Sequence, residues 1–225
     1  AGCLGPPRYA TRAISAFLWS QGITYLDAVI LSHADLDHFN AIPTLLERFN
    51  VGIVYMSSMM FRKESPAIRL LKRAIEDRSI PLQTIAAPKQ LRISPSLVLT
   101  ILHPPPEGTG GSDNANSLVL MVETAGRRIL LPGDLESPGL EMLLGKQALD
   151  CDVIMAPHHG STHSDPLGFH AWTKPEWVVI SGGSGDATIA KQAYYGENTH
   201  VLHTAESGAI RVEIKGNQIA VRSWL

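Results

Sequence analysis

Apolar residues recur at two periods in the first half of the chain. Their helical spacing predicts helices over 12–23, 42–50 and 66–79. Continuous apolar runs predict buried strands over 26–33, 51–57 and 82–86. Strands that alternate with helices indicate an α/β fold for this half of the chain.

The second half of the chain is richer in strand patterns. We expect strands over 96–104, 151–161, 175–183 and within 200–225, around Gly208 and a Gly216–Asn217 turn. A hairpin over 117–134 is expected to turn at Ala125–Gly126, and a helix is expected over 140–149. Residues 107–116, rich in Gly and Asn, indicate a loop. Mixed strands with helices outside them predict an α/β sandwich, and we expect a single domain over 1–225.

Composition narrows the class of protein. Hydrophobic residues make up 44% of the chain and charged residues 18%, which favours a globular fold over disorder. The longest apolar runs are far shorter than a membrane span, and the first residues lack the pattern of a secretory signal. Cys3 and Cys151 belong to no CxxC pair, so a disulfide framework is not expected.

The charge balance gives no general attraction to nucleic acid, because the net charge is -2. Binding to nucleic acid would need a local basic patch or bound metal. The densest basic stretch consists of Arg62, Lys63, Arg69, Lys72 and Arg73. Its pattern favours the solvated face of an amphipathic helix over a phosphate-binding surface.

Residues 33–38, "HADLDH", hold four metal-type ligands directly after a predicted strand: His33, Asp35, Asp37 and His38. Alternate residues of an extended turn point to one side, whereas the adjacent Asp37 and His38 point to different sides. Such a cluster can hold two cations roughly 3.5–4 Å apart. A lone Asp-x-Asp is more typical of a solvated turn or a helix cap, but this density of ligand types favours metal. Imidazole with carboxylate suits zinc, manganese or iron.

Two further polar groups follow apolar strands. Asp134 ends "LLPGD", and His158 and His159 lie in "APHHGS". Taken alone, each is as well explained by a turn carboxylate or a hydrogen-bonded loop histidine. Loops at strand ends converge on one edge of a sheet, which favours a shared site. His103 is expected to be structural. Surface or core positions are expected for the other histidines: His163, His170, His200 and His203. Among these four, His203 is the one that comes nearest to a candidate metal ligand.

The segments "ILSHADLDH", "DNANSLVLMVE", "ILLPGD" and "VIMAPHHGS" together resemble the metallo-β-lactamase fold. More closely, they are similar to the C-terminal β-lactamase-like domain of the ComEC/Rec2 competence proteins, which are bacterial membrane proteins of DNA uptake. The resemblance implies an αββα sandwich with a metal site at one edge of its two sheets. The family's first strand carries a pattern like "DVGQGDA" that is absent here, so we expect the sandwich to lack its first N-terminal strands.

The resemblance also implies a set of ligands for two divalent metal ions, Mn or Zn. These are His33 and Asp35 on one ion, Asp37 and His38 on the other, Asp134 as the bridge and His159 as a terminal ligand, with His158 as its alternative. Asp35 replaces the second His of the superfamily motif His-x-His-x-Asp-His, and the added carboxylate favours a harder cation such as manganese. Asn116 stands where many members have a ligating His. It is either a weak oxygen ligand, or the ion there is held by fewer groups.

The function that the resemblance implies is a metal-dependent nuclease, a phosphodiesterase that degrades one DNA strand during uptake. Its partner would be DNA, as a single strand or as duplex undergoing uptake. Asp37 and His158 are the candidate catalytic residues, and His158 would protonate the leaving oxygen or hold the phosphate. Two other functions fit the sequence: hydrolysis of a small ester or phosphoester, and binding of DNA or a partner by a metal-poor domain.

The resemblance also implies a location. The parent protein would be a bacterial inner-membrane protein, with the membrane channel portion as a partner and this domain on the extracytoplasmic side. Direct membrane insertion by this chain is not expected, because its apolar runs are too short.

Overall fold

The computed structural model of the protein describes residues 1–183, 187–194, 196 and 198–224, except for the side chains at 187–189. Contacts between residues divide the chain into two units. The first comprises Ala1–Ala86 and Pro106–Gly108, and the second comprises the described residues of Ala87–Pro105 and Thr109–Leu225. The expectation of a single domain over 1–225 stays a prediction.

The first unit alternates helices with short strands, as its apolar pattern predicts. Its helices are α1 (Arg8–Ser20), α2 (Leu36–Phe39), α3 (Ile42–Leu46) and α4 (Pro66–Glu76). Its strands are β1 (Tyr25–Leu26), β2 (Val29–Leu31), β3 (Asn50–Val51), β4 (Val54–Ser57) and β5 (Leu82–Ile85). A parallel sheet has the order β2-β4-β5, and β1 pairs with β3 in a separate parallel pair.

Two predicted strands are each divided in the first unit. The run 26–33 gives β1 and β2, and the run 51–57 gives β3 and β4. Each division falls between two sets of backbone hydrogen bonds, one for each strand pair. Gly52 N–H donates to Leu26 O at 2.9 Å, while Val29 N–H donates to Ile53 O at 2.9 Å. Strand β2 ends at Leu31, two residues before His33, the expected last residue of the strand.

Helix α4 follows its sequence pattern closely. Ser65 Oγ caps its first turn by accepting a hydrogen bond from Ile68 N–H at 3.1 Å. The predicted apolar face is buried: Ile68, Leu71 and Ile75. The helix ends at Glu76 and not at residue 79, because the chain reverses at Ser79, whose φ is 52°.

Within the described residues, the second unit is built on a mixed sheet of seven strands. They are β6 (Lys89–Ser94), β7 (Leu97–His103), β8 (Val119–Thr124), β9 (Arg127–Leu131), β10 (Val153–Met155), β11 (Trp177–Ile180) and β12 (His200–His203). The sheet order is β12-β11-β10-β9-β8-β7-β6, antiparallel from β6 to β9 and parallel from β9 to β12. The carboxyl ends of the four parallel strands therefore lie at one edge, where ligand sites of α/β sheets form.

The hairpin predicted over 117–134 is confirmed. Strands β8 and β9 pair from Thr124 and Arg127 outwards, and the turn falls at Ala125 and Gly126. Both turn residues have positive φ, 50° and 78°, which is the geometry of a two-residue type I′ hairpin turn.

Several other elements of the second unit differ from the predictions. The remaining elements are α5 (Gly139–Leu144), α6 (Pro166–Thr173), α7 (Ala187–Ala193), α8 (Thr204–Ser207), β13 (Ile210–Lys215) and β14 (Gln218–Ser223). The helix predicted over 140–149 ends at Leu144. Strands β12 and β13 lie on either side of Gly208 as expected, with the short helix α8 between β12 and this glycine. The Gly216–Asn217 turn joins β13 to β14 as expected. Strand β6 and helices α6 and α7 were not predicted. The predicted closing segment 200–225 extends to Leu225, which lies outside the described residues.

Each unit has its own hydrophobic core. In the first, side chains of β2, β4, α3 and α4 pack together, with Leu31, Val54 and Leu71 fully buried. In the second, residues of β8 to β11 pack with α5 and α6, with Leu130, Ile154 and Phe169 at the centre. In the part of the chain that the structure describes, every helix is too short or too polar to cross a lipid bilayer.

Candidate functional site

The His/Asp group of the first unit (His33, Asp35, Asp37 and His38) lies just beyond the end of β2. Sequence reasoning placed it on an extended turn, and this is wrong in part, because α2 begins at Leu36. Asp35 is extended, with φ -77° and ψ 140°, whereas Asp37 and His38 occupy the helical turn. His38 N–H donates to Asp35 O at 3.0 Å, which closes this turn.

The distances within the His/Asp group fit shared cations. His33 Nε2 lies 3.9 Å from Asp35 Oδ2, and His38 Nε2 lies 3.6 Å from Asp37 Oδ2. The ring centroids of His33 and His38 are 4.1 Å apart. Two ligand atoms on one tetrahedral zinc lie about 3.4 Å apart, so each pair needs only a small adjustment to share an ion. His33 is buried and Asp35 is half-exposed, which leaves the carboxylate side of the group open to solvent.

Asp134 is a buried carboxylate in the second unit, beyond the end of β9. Its backbone N–H donates to Ser117 Oγ at 3.2 Å, which fixes the loop against the start of β8. The preceding Gly133 has φ 61°, and its carbonyl accepts a hydrogen bond from His158 N–H at 3.1 Å. The loops that follow β9 and β10 are therefore tied to each other by the backbone.

His159 faces Asp134 with a defined ring nitrogen. Its Nδ1 lies 2.6 Å from Ser181 O, and a carbonyl only accepts, so Nδ1 carries the proton. The lone pair is then on Nε2, which lies 3.4 Å from Asp134 Oδ2. An imidazole whose Nδ1–H is held by a backbone carbonyl has the arrangement of a metal ligand. The structure thus brings Asp134 and His159 together at a spacing that one tetrahedral ion would bridge.

The backbone of this loop is unusual. His158 and His159 both have left-handed conformations, with φ of 48° and 56°. Such conformations cost a non-glycine residue about 1–2 kcal/mol each and are concentrated at functional sites. Their consequence is visible in the side chains, since the two rings diverge, with centroids 6.4 Å apart.

His158 turns toward a carboxylate that sequence reasoning missed. Its Nδ1 lies 3.5 Å from Glu136 Oε2, and Ser112 Oγ donates to Glu136 Oε1 at 2.6 Å. The ring of His158, the candidate acid, therefore faces Glu136, whereas that of His159 faces Asp134. In the sequence Glu136 is only the last letter of "PGDLE", and no spacing rule singles it out.

Asn116 is buried, and its side chain is fully used within its own loop. Its Oδ1 accepts hydrogen bonds from Thr109 N–H and Thr109 Oγ1, at 2.7 and 3.2 Å. Its Nδ2 donates to Thr109 O and Ser112 O, at 3.1 and 3.0 Å. Metal ligation by Asn116 stays a prediction, and it would require the oxygen to give up these bonds.

The remaining histidines behave largely as expected. His103 is confirmed as structural: it is fully buried, and its Nε2–H donates to Ala115 O at 2.9 Å. Burial lowers the pKa of His103, so it is held neutral. His200 is exposed and stacks on Trp177, with ring centroids 4.4 Å apart. His203 is 2% exposed at the end of β12, beside His159 in a common cavity.

Two cations of the basic stretch, Lys72 and Arg69, lie close to a single carboxylate of the first unit, that of Glu64. Lys72 Nζ lies 2.5 Å from Glu64 Oε1, and Arg69 lies 3.8 Å from the same carboxylate. Lys72 holds the pKa of the Glu64 carboxyl below its usual value. This pairing agrees with the interpretation of the stretch as a solvated helix face.

Comparison with known proteins shows what this chain is similar to. ComE operon protein 3 of Bacillus subtilis is 29% identical over 89% of this chain and 25% of its own length. Recombination protein 2 of Haemophilus influenzae is 25% identical over 95% of this chain and 25% of its own length. The crystal structure of zinc-bound PqqB from Methylobacterium extorquens aligns with a TM-score of 0.40 and 18% identity, over 57% of this chain and 44% of that one. The chain spans about a quarter of the length of the two curated relatives.

The family comparison covers most of the chain. The model of the metallo-beta-lactamase superfamily matches residues 3–171, which include every predicted site residue. The predicted fold class and the predicted similarity to the ComEC/Rec2 competence proteins are both confirmed by these matches. The chain belongs to the metallo-beta-lactamase superfamily.

Proposed function

We propose that this chain is a metal-dependent phosphodiesterase that cleaves DNA, acting as one domain of a competence-type DNA-uptake protein. The observation that carries the proposal is the pair of Asp134 and His159. Ser181 O holds the proton on His159 Nδ1, and Nε2 lies 3.4 Å from the buried Asp134 carboxylate. Superfamily membership supports hydrolysis as the reaction class, and the similarity to competence proteins supports DNA as the substrate.

The proposed ligands are those that the resemblance gives: His33, Asp35, Asp37, His38, Asp134 and His159. They provide imidazole and carboxylate donors, the set that zinc and manganese prefer. When bound, two divalent ions would supply positive charge at the phosphate oxygens and lower the pKa of a water toward neutrality. Buried Asp134 would balance part of that charge, and half-exposed Asp35 would leave room for the substrate.

His158 would protonate the leaving oxygen or bind the phosphate. The Nδ1 edge of its ring faces Glu136, whose Oε2 lies 3.5 Å from Nδ1. Nε2 is then the nitrogen available to the leaving oxygen or to a phosphate oxygen. Asp37 is proposed as a ligand that also orients the attacking water.

The phosphate contacts are proposed to come from the ions and the imidazoles. The net charge is -2, and two cations of the basic stretch, Lys72 and Arg69, lie beside the Glu64 carboxylate. A nuclease of this kind depends on bound metal for electrostatic attraction, so metal removal would abolish DNA binding as well as cleavage. A membrane channel portion of the parent protein as partner and an extracytoplasmic position are part of the same proposal and rest on the resemblance to the ComEC/Rec2 proteins.

A cleavage assay with end-labelled single-stranded and duplex DNA tests the proposal. We expect cleavage with Mn²⁺ or Zn²⁺, none after chelation, and a fall of about a thousandfold or more in Asp134→Asn, since the bridging charge is lost. Asp150→Asn is the matched control, because that carboxylate is 76% exposed and lies 3.8 Å from the exposed Lys174.

The alternatives give different outcomes in the same samples. Bound metal with hydrolysis of a small chromogenic phosphoester but intact DNA would replace the proposal by a small-molecule hydrolase. Intact DNA binding without stoichiometric metal would indicate a non-catalytic domain.

A further inference from the structure

A cavity of about 630 Å³ in the second unit opens beside His159. It lies at the carboxyl ends of β10, β11 and β12, and we call it the imidazole cavity after its four histidines: His158, His159, His163 and His203. The other described residues that line it are Gly, Ser, Thr and Ala, and none of them carries a carboxylate. A cavity walled by imidazoles and hydroxyls suits an anion better than a cation.

The tautomer of the neutral His203 ring is set by a hydrogen bond from helix α8. The N–H of Ala205 donates to His203 Nδ1 at 3.1 Å, so Nδ1 carries the lone pair. The proton of a neutral ring is therefore on Nε2. His203 is 2% exposed, which gives the ring little freedom to turn over. It presents the opposite chemistry to His159, whose Nδ1 is protonated by its bond to Ser181 O.

The space beside His203 Nε2 depends on Gly182. A Cβ at this position would lie 3.4 Å from His203 Nε2 and would fill that space. Gly182 is held in place by Thr204, whose Oγ1 accepts from Gly182 N–H at 3.0 Å and donates to Gly182 O at 3.2 Å. The neighbouring Gly183 has open space around it, with nothing within 4 Å of a built Cβ.

We propose that His203 is a substrate-binding residue whose Nε2–H donates a hydrogen bond to a phosphate oxygen held in the imidazole cavity, next to the ion that His159 ligates. The identity of the anion as a DNA phosphate rests on the proposed function. The donor role itself rests on the Ala205 bond, the burial of the ring and the gap beside Gly182. A ring with its proton on Nε2 and its Nδ1 engaged is not arranged to ligate metal.

Two substitutions separate the donor from the structural role of the ring. In His203→Asn the amide oxygen keeps an acceptor near the Nδ1 position for Ala205 N–H, but the donor at the Nε2 position is lost. In His203→Gln the amide nitrogen reaches toward the Nε2 position. We expect His203→Asn to weaken the affinity for inorganic phosphate by about tenfold or more. We expect the KM for a short oligodeoxynucleotide to rise by the same factor. His203→Gln is expected to stay within about threefold of the unchanged protein.

A second pair of variants leaves His203 itself intact. Gly182→Ala is expected to weaken phosphate binding several-fold, while Gly183→Ala leaves it unchanged. All four variants are compared as metal-loaded proteins by calorimetric titration with inorganic phosphate, with metal content from elemental analysis and thermal midpoints as folding controls.

The outcomes are separable from those of the cleavage assay. Unchanged phosphate affinity in both His203→Asn and Gly182→Ala would overturn the inference, as would loss of stoichiometric metal from folded His203→Asn. Absence of measurable phosphate binding in the unchanged protein would overturn it too. If phosphate binding falls as expected in the variants but the unchanged protein cleaves no DNA, the inference stands and the proposed nuclease function fails.

Discussion

The two units carry their metal-type side chains in contrasting ways. In the first, the His/Asp group lies within residues 33–38, and one strand end and one helical turn supply every member. In the second, Asp134 and His159 follow different strands, β9 and β10. Their side chains meet only because those strands are parallel neighbours and the loops are joined through Gly133 O.

The contrast separates two kinds of information. Density along the chain is enough to predict candidate ligands, as the six residues of "HADLDH" illustrate. Hydrogen bonds to ring nitrogens are needed to assign roles, because they decide which nitrogen carries the lone pair. His159 and His203 have the same side chain at two parallel strand ends, and a carbonyl on one and an N–H on the other give them opposite chemistry.

The largest expected effect on metal affinity comes from removing His159, the imidazole proposed as a ligand in the second unit. His159→Ala should weaken metal binding by about a hundredfold or more, since a direct ligand is worth at least as much as the outer-shell partners of a metal. Competition with a fluorescent chelator measures this affinity. His200→Ala is the control, because that ring is exposed and contacts Trp177. Equal metal affinity in the two variants would contradict the assignment of His159.

A smaller effect is expected in the His/Asp group, where Asp35 stands at the position of an imidazole in the superfamily motif. Asp35→His should lower the ratio of manganese-supported to zinc-supported activity by about tenfold, because it replaces a hard ligand by a softer one. Asp27→His adds the same ring at an exposed position of the first unit and serves as control. Zinc-only occupancy with zinc-only activity in the unchanged protein would count against this account.

A structural imidazole provides the next comparison, because His103 also ends a strand but is buried against Ala115. A Cβ at Gly139 would overlap Ala115 O and lie 2.9 Å from His103 Nε2. Gly139→Ala should therefore lower the free energy of unfolding by about 1–3 kcal/mol, the cost of overpacking a filled site. Urea denaturation measures it. Gly110→Ala, which meets nothing within 4 Å, should change stability by less than about 0.5 kcal/mol.

The smallest expected effect is the dependence of stability on pH that His103 contributes. Burial lowers its pKa below the ordinary 6.5, so the unfolded chain binds more protons in this range. The contribution of His103 is complete above pH 6.5 and is lost as pH falls through its folded pKa. His103→Gln keeps a donor for Ala115 O but does not titrate. Urea midpoints from pH 5 to 8 should therefore fall more steeply toward acid in the unchanged protein than in the variant.

Much of the fold could be predicted because its signals are local. Ser65 and the spacing of Ile68, Leu71 and Ile75 are enough to predict α4, and Ala125–Gly126 is enough to predict the hairpin. Strand β6, "KQLRIS", was missed because an exposed edge strand carries charges and little apolar alternation.

The candidate site divides in the same way. The His/Asp group, Asp134 and the histidine pair could be predicted from residue types at strand ends. Glu136 and the carbonyl of Ser181 could not, because their importance lies in contacts with residues distant in the chain. Helix α8 could not be predicted from the sequence either, since its N-terminus is capped by the ring of His203 and not by an ordinary capping residue.

The tautomers of the two strand-end histidines can be observed directly by long-range ¹H–¹⁵N NMR of uniformly labelled protein, before and after addition of zinc. The account predicts that His159 is protonated on Nδ1 and that its Nε2 resonance shifts on metal binding. It predicts that His203 keeps its proton on Nε2 throughout. A metal-dependent shift at His203 Nε2, or a proton on His159 Nε2 in the zinc-loaded protein, would contradict it.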